Sequence, residues 1–236
     1  EGFAVLSKNG LFLVFSRCLV NGCDTECRDC MGSCDLFYST FDENKERWST
    51  PKNFGEGINS KGWDSQPSFS ITEDTIYFAS NRPGGFGMSD IYFITKIGKD
   101  KWSRAFNMGP VINSRGNEWS PFHSKKHKVF YFSSNGHIVN FDENRMSNDL
   151  YRSNFNKGRW LEPKNLGPLV NGEGDETYFS IDANNKHLYY ARTEDGAENK
   201  GVTDLYSFPV PMEAQPLAVV VFKGKLVDEE TGEPYK

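Results

Sequence analysis

All five cysteines of the chain lie within a 17-residue stretch, as Cys18, Cys23, Cys27, Cys30 and Cys34. Thiols at this density support two chemistries. Cys27-x-x-Cys30 together with Cys23 and Cys34 supplies the ligands of a tetrahedral zinc site with four thiolates. Alternatively the cysteines pair. Cys18 ends one strand and Cys34 precedes the next, so a bridge between them closes the base of the intervening loop. A second bridge then joins two of Cys23, Cys27 and Cys30, and one thiol is left over. Cys27-x-x-Cys30 is a weak redox motif, because no thioredoxin-like βαβ pattern surrounds it.

The other residues with chemical potential have plainer roles. Gly84-Gly85-Phe86-Gly87 could cradle a phosphate, but a phosphate loop opens a helix, and this one leads into a strand at Asp90. A tight connection with φ > 0 positions is expected instead. Asp142-x-Asn144 resembles part of a calcium loop yet lacks the glycine and the terminal bidentate acid, so a solvated loop is expected. His123, His127, His137 and His187 show no metal-ligand spacing. No catalytic residue, cofactor site or metal site is nominated.

What positions these residues is a repeat. The phrase Asp-apolar-aromatic returns as Asp35-Leu36-Phe37, Asp90-Ile91-Tyr92, Asp149-Leu150-Tyr151 and Asp204-Leu205-Tyr206, at spacings of 55, 59 and 55 residues. The first three are each followed by a tryptophan (Trp48, Trp102, Trp160) and an Asn-apolar-Gly step (Asn53–Gly55, Asn107–Gly109, Asn165–Gly167). An apolar-Asn pair comes next (Ile58-Asn59, Ile112-Asn113, Val170-Asn171), then an acid (Asp64, Glu118, Glu176). Strand-like alternation and Gly/Asn/Asp turns recur throughout, with no helical periodicity. Each unit carries three or four short antiparallel strands, which makes the fold all-β: a β-propeller of four recognisable repeats. A single blade cannot bury both of its faces, so neighbouring blades must bury each other's rings and aliphatic side chains. The recurring aspartates and acids are expected to be structural, capping loops through local backbone N–H groups. The tryptophan is placed on the outer part of the blade, and the Asn-apolar-Gly step in the connection to the next.

The formal charge of −5 is built from mixed signs without a basic stripe, which excludes nucleic acid as a partner. No apolar stretch is long enough to span a bilayer as a helix. Boundaries fall at 1–208 for the repeats, 209–216 for a linker, and 217–236 for the start of a further β domain, opened by the run Leu217 to Phe222.

The unit running from Trp160 to Tyr206, and Ile76 to Gly87 ahead of Asp90-Ile91-Tyr92, resemble the WD-like (TolB-type) propeller repeats of OmpA-family envelope proteins of the Bacteroidetes, including the PorE component of the type IX secretion system. The tail from Val219 to Pro234 is similar to the start of a carboxypeptidase-regulatory-like β-sandwich. The resemblance implies a periplasmic, outer-membrane-associated scaffold. Its partners would be envelope proteins, either outer-membrane or secretion-system components, with peptidoglycan bound only through a domain absent from this chain. An envelope protein occupies an oxidising compartment, which favours disulfides over zinc. No Trp/Asn-Gly unit precedes Glu1, so the four repeats are expected to belong to a larger ring.

Propeller enzymes are the rival class. The aspartate boxes and arginine cluster of sialidases are missing from the sequence, and no acid stands outside the repeat as a glycosidase candidate. The expectation is therefore non-enzymatic, with partner contacts on loops that exceed the shared repeat. These are the cysteine loop (Leu19 to Ser33), the Arg82–Phe86 loop and the His137–Asn148 loop, with Arg82, Phe86, His137, Phe141 and Arg145 as contact candidates. The alternative is a carbohydrate- or ligand-binding propeller with a central pocket.

Overall fold

The aspartate phrase opens the same strand in every repeat, because period-2 alternation sends its apolar residue to one face and its ring to the other. The computed structural model describes residues 2–19, 29–99, 101–124, 128–137, 147–172, 174–182, 184, 186–194, 202–211 and 214. Blade 1 consists of β1 (Gly2–Leu6), β2 (Phe12–Cys18) and β3 (Cys34–Asp42), with the two-residue strands β4 (Arg47–Trp48) and β5 (Lys52–Asn53) both paired to β3. Blade 2 repeats this with β6 (Asp64–Phe69), β7 (Thr75–Ser80), β8 (Asp90–Gly98), β9 (Lys101–Trp102) and β10 (Phe106–Asn107). Blade 3 contains β11 (Glu118–His123), β12 (Val129–Ser134), β13 (Asp149–Asn156), β14 (Arg159–Trp160) and β15 (Lys164–Asn165). Blade 4 has β16 (Asp175–Ile181), β17 (His187–Glu194) and β18 (Val202–Pro209). This is the expected all-β propeller, with four blades among the described residues, and the tryptophans sit on the outer hairpins as anticipated.

Register makes the blades comparable residue by residue. Each aspartate pairs with one of the last three residues of the preceding long strand: Arg17 with Asp35, Ser80 with Asp90, Ser134 with Asp149 and Arg192 with Asp204. Counting back along that strand, Ile76 and Phe78 face blade 1, where they meet Val14, Leu36 and Ile58. Tyr77, between them, faces blade 3 and joins Ile91, Ile112, Phe130, Phe132 and Tyr151. The interface of blades 3 and 4 repeats the scheme with Tyr131, Leu150, Leu166 and Val170 against Phe179, Leu188 and Tyr190. Rings and aliphatic chains of this size stabilise by roughly 1.5–3 kcal/mol each when fully buried. The core is therefore three interleaved slabs between blades. Ala214, in the segment read as a linker, is fully buried in the last slab, and its carbonyl accepts from the Tyr131 hydroxyl at 2.8 Å. Residues 217–236, read as the start of a β-sandwich, lie outside the described residues.

The innermost strands β1, β6, β11 and β16 share one irregularity. Each shows a register shift, and within it a non-glycine residue takes a left-handed φ: Phe3 at 45°, Gln66 at 58°, Ser120 at 51° and Tyr178 at 58°. That conformation costs about 1–2 kcal/mol per residue, so its presence in all four blades marks a built-in bulge. The bulged residues meet one another across the inner strands. Ser120 donates its backbone N–H to Gln66 Oε1 at 2.6 Å, and the rings of Phe3 and Tyr178 stack at 5.1 Å. Blades 1 and 4 thereby touch at the centre, although no hydrophobic cluster joins them among the described residues.

Candidate functional site

Antiparallel alternation gives the propeller two rims. The β2–β3, β7–β8 and β12–β13 connections, which include all three inserts, share one rim. The tight β1–β2 and β6–β7 turns and the β8–β9 hairpin share the other.

On the insert rim, the repeat aspartates anchor the loops. Asp35 accepts from the N–H groups of Met31 (2.5 Å) and Gly32 (3.1 Å), and Asp90 from those of Phe86 (2.6 Å) and Gly87 (3.0 Å). The side chain of the Asn-apolar-Gly asparagine donates to the same aspartate: Asn53 to Asp35 at 2.8 Å, Asn107 to Asp90 at 2.6 Å and Asn165 to Asp149 at 2.7 Å. Its oxygen then accepts from the asparagine of the apolar-Asn pair at 2.7 Å in each of the three blades. Burial raises the pKa of Asp149, and the bond from Asn165 opposes that shift. Asp204 is exposed, and among the described residues it has no such network.

The acids of the inner strands have a second, equally repetitive role. Arg82 donates to Asp64 Oδ1 and to the carbonyl of Ile58, both at 2.6 Å, while lying over the rings of Phe78 and Tyr92. Arg192 does the same in blade 4, with Glu176 at 2.6 Å, the carbonyl of Val170 at 2.9 Å, and the rings of Tyr190 and Tyr206 beneath it. In blade 3 the place is taken by His137, whose Nε2 bonds the carbonyl of Ile112 at 2.7 Å and whose ring packs on Phe132 and Tyr151. Burial pushes the Glu176 carboxyl up to about 7, against the pull of Arg192. Glu118 is also raised by burial, against bonds from Ser114 and Ser134. These shifted acids are bound into blade junctions, and none lines an open site.

Two contact candidates, Arg82 and His137, thus spend their side chains on the interior. Phe86 lies on the surface at 49% exposure, and Met88, which sequence reasoning passed over, is 70% exposed. The strand phrase drew attention to Asp90 and away from the two residues before it. Gly84 supplies a left-handed φ of 90°. A Cβ on Gly87 would lie 2.3 Å from the carbonyl oxygen of Gly116, so the loop is pressed against blade 3. Phe141 and Arg145 lie outside the described residues.

Cys18 and Cys34 form a disulfide, joining paired residues at the base of the first insert. With Cys34 in this bridge, the four-thiolate zinc set is incomplete. Cys30 is also disulfide-bonded, while Cys23 and Cys27 lie outside the described residues. Among the described residues no group of three His, Cys, Asp or Glu side chains could hold a metal ion, and no helix is long and apolar enough to cross a membrane.

No family model matches the chain, and no curated protein matches it in sequence. Among solved structures, it is similar to the putative TolB of Agrobacterium tumefaciens, with TM-score 0.54, 10% identity, and coverage of 89% of this chain and 66% of that one. It is similar also to a gluconolactonase from Xanthomonas campestris, with TM-score 0.54, 12% identity, and coverage of 88% and 56%. The chain therefore spans just under two thirds and just over half of these two proteins. At such identities the likeness concerns the fold alone. The architecture is that of a β-propeller, with four blades and a TolB-type propeller among its structural neighbours.

Proposed function

We propose that this propeller is a non-enzymatic protein-interaction scaffold of the cell envelope, periplasmic and associated with the outer membrane as part of an OmpA-family or type IX secretion-associated protein. The observation that carries the reading is the display of Phe86 and Met88 on a pinned loop. Phe86 stands half and Met88 largely in solvent, while their backbone N–H groups are held by Asp90 and by the carbonyl of Gly116. An exposed apolar pair on a rigid support loses little entropy on binding, which is how a few anchors dominate an interface. The strand ends that carry the other two inserts, Cys18 and Cys34 in blade 1 and Ser134 and Asp149 in blade 3, share this rim. The Cys18–Cys34 bridge supports an oxidising compartment.

The test is a photo-cross-linker placed at Met88 in the full-length protein inside cells, followed by mass spectrometry. Cross-links to outer-membrane or secretion components are expected. If position 88 links to nothing while exposed control positions are equally silent, the scaffold role of this rim is lost.

A further inference from the structure

On the opposite rim, between blades 1 and 2, the described residues enclose a cleft of about 580 Å³, within the roughly 300–1,000 Å³ usual for small-ligand sites. Its origin lies in one register position. In blade 1, Phe41 pairs with Trp48 and covers it edge-on at 5.3 Å; in blade 3, Phe155 does the same to Trp160 at 5.0 Å. The residue paired with Trp102 in blade 2 is Lys96. Trp102 therefore lacks the hairpin ring that covers its counterparts, and Phe54 meets it edge-on at 6.3 Å instead. It lines the cleft beside Tyr38 and Phe54, and is held in place by a near-parallel Phe12 at 6.4 Å.

The charges of the cleft are equally specific. Lys96, Lys99 and Lys101 form one wall, and among the described residues none of them has an ion-pair partner. The acids stand beside the lysines: the backbone N–H of Lys96 donates to the Asp74 carbonyl at 2.7 Å, the Asp74 carboxylate accepts from Ser70 and Thr75 at 3.0 and 2.9 Å, and Glu73 accepts from the backbone of Lys8 at 2.5 Å. Hydroxyl and amide groups, among them Thr40 and Asn9, line the remainder. Aromatic faces beside hydroxyl, amide and acid groups suit a ligand with an apolar C–H face and many hydroxyls. Three unpaired lysines in a chain of net charge −5 suit an anionic substituent.

We propose that this cleft binds a saccharide carrying a carboxylate, with the ring of the sugar on Trp102 and Tyr38 and the carboxylate against the lysine wall. The site is off the propeller axis and on the rim away from Phe86 and Met88, so it stands or falls independently of the scaffold reading.

The experiment is saturation-transfer NMR on the whole chain with glucuronic acid, galacturonic acid, glucose, galactose and adenosine monophosphate at millimolar concentration. Saturable transfer to a uronic acid is expected, weaker by about fivefold or more for its neutral hexose, because a charged contact is worth on the order of 1 kcal/mol. Lys96→Phe installs the ring that blades 1 and 3 carry, and should abolish transfer with the melting temperature unchanged or raised. Lys99→Ala/Lys101→Ala should erase the preference for the uronic acid and spare the hexose signal. The double variant serves as the test if Lys96→Phe fails to fold. Silence with every sugar, transfer to the nucleotide alone, or uronic acid binding that survives both variants would overturn the proposal.

Discussion

Asn107 donates from Nδ2 to the Asp90 carboxylate at 2.6 Å, and this contact ties the Phe86–Met88 loop to the connection that leads into blade 3. The Oδ1 atom of Asn107 receives the N–H of Gly109 at 2.8 Å and the amide of Asn113 at 2.7 Å, while Asn113 bonds both main-chain groups of Ile91. Truncation at Asn107 leaves three partners unsatisfied at once. Asn107→Ala is expected to lower stability by about 2–4 kcal/mol. Urea unfolding should show this as a lower midpoint with an unchanged slope. A loss below about 1 kcal/mol would mean that water replaces the network at little cost.

His123 gives the fold a predictable acid sensitivity. Both of its ring nitrogens are buried without a hydrogen-bond partner, and the ring packs edge-on against Tyr77 and Trp160. Burial pushes its pKa down from 6.5 to about 4, with Asp74 opposing. Because the folded pKa lies below the unfolded one, the unfolded chain binds the extra proton between these values. The contribution of neutral His123 is therefore complete above pH 6.5 and is lost as the pH falls toward 4. Phe69 occupies the same register position in blade 2. His123→Phe should gain on the parent by roughly 2–3 kcal/mol as the pH is lowered from 7 to 4. Paired urea titrations at the two pH values measure that difference, and a gap that stays constant with pH contradicts the assignment.

Much of the architecture was legible because the repeat constrains residues in both sheet faces and connections. The aspartates, the asparagines and the Asn-apolar-Gly step could be read as structural from their recurrence alone, and the bonds of Asp35, Asp90 and Asn107 follow that reading. The inner-strand bulge was not legible. Its residues are Phe3, Gln66, Ser120 and Tyr178, four side chains with nothing in common, since the position is defined by backbone conformation and not by side-chain type. The interior roles of Arg82 and His137 were hidden for a related reason. A polar side chain in a loop looks free in sequence, and only the fold shows the carbonyl of Ile58 within reach of Arg82 and that of Ile112 within reach of His137. The Lys96 position escaped notice because its meaning depends on the pairing of Phe41 with Trp48 and Phe155 with Trp160 two blades apart.

The bridge between Cys18 and Cys34 closes a loop with a sequence separation of 16 residues. Loop-closure entropy for a cross-link of this span is worth about 3 kcal/mol. Cys18→Ser/Cys34→Ser should therefore lower stability by about 2–4 kcal/mol, and thermal melts of the parent with reductant should approach those of the variant. Since Cys30 is also bridged, reductant is expected to cost the parent somewhat more than the double substitution does. Equal melting temperatures with and without reductant would show that the strand pairing from Phe12 to Cys18 holds the loop base unaided.

Leu205 tests what covers the outer face of blade 4. It occupies the position of Leu36, Ile91 and Leu150, all of which are fully buried, yet it is itself 78% exposed. Its neighbour across the sheet, Ala191, is buried, and Tyr189 on the same face is 37% exposed where its counterpart Tyr131 is fully buried. Chemically identical leucines thus sit in opposite environments: blade 4 packs over Leu150, and among the described residues nothing packs over Leu205. Leu150→Ala should cost about 2–5 kcal/mol through lost burial and a residual cavity. Leu205→Ala should stay within about 0.5 kcal/mol of the parent. Measured in the 236-residue chain, a contrast of this size means that the outer face of blade 4 contributes nothing to folding there. Repeating the pair in full-length protein asks whether further chain covers that face. A Leu205→Ala cost that rises toward that of Leu150→Ala would place another layer of side chains against blade 4.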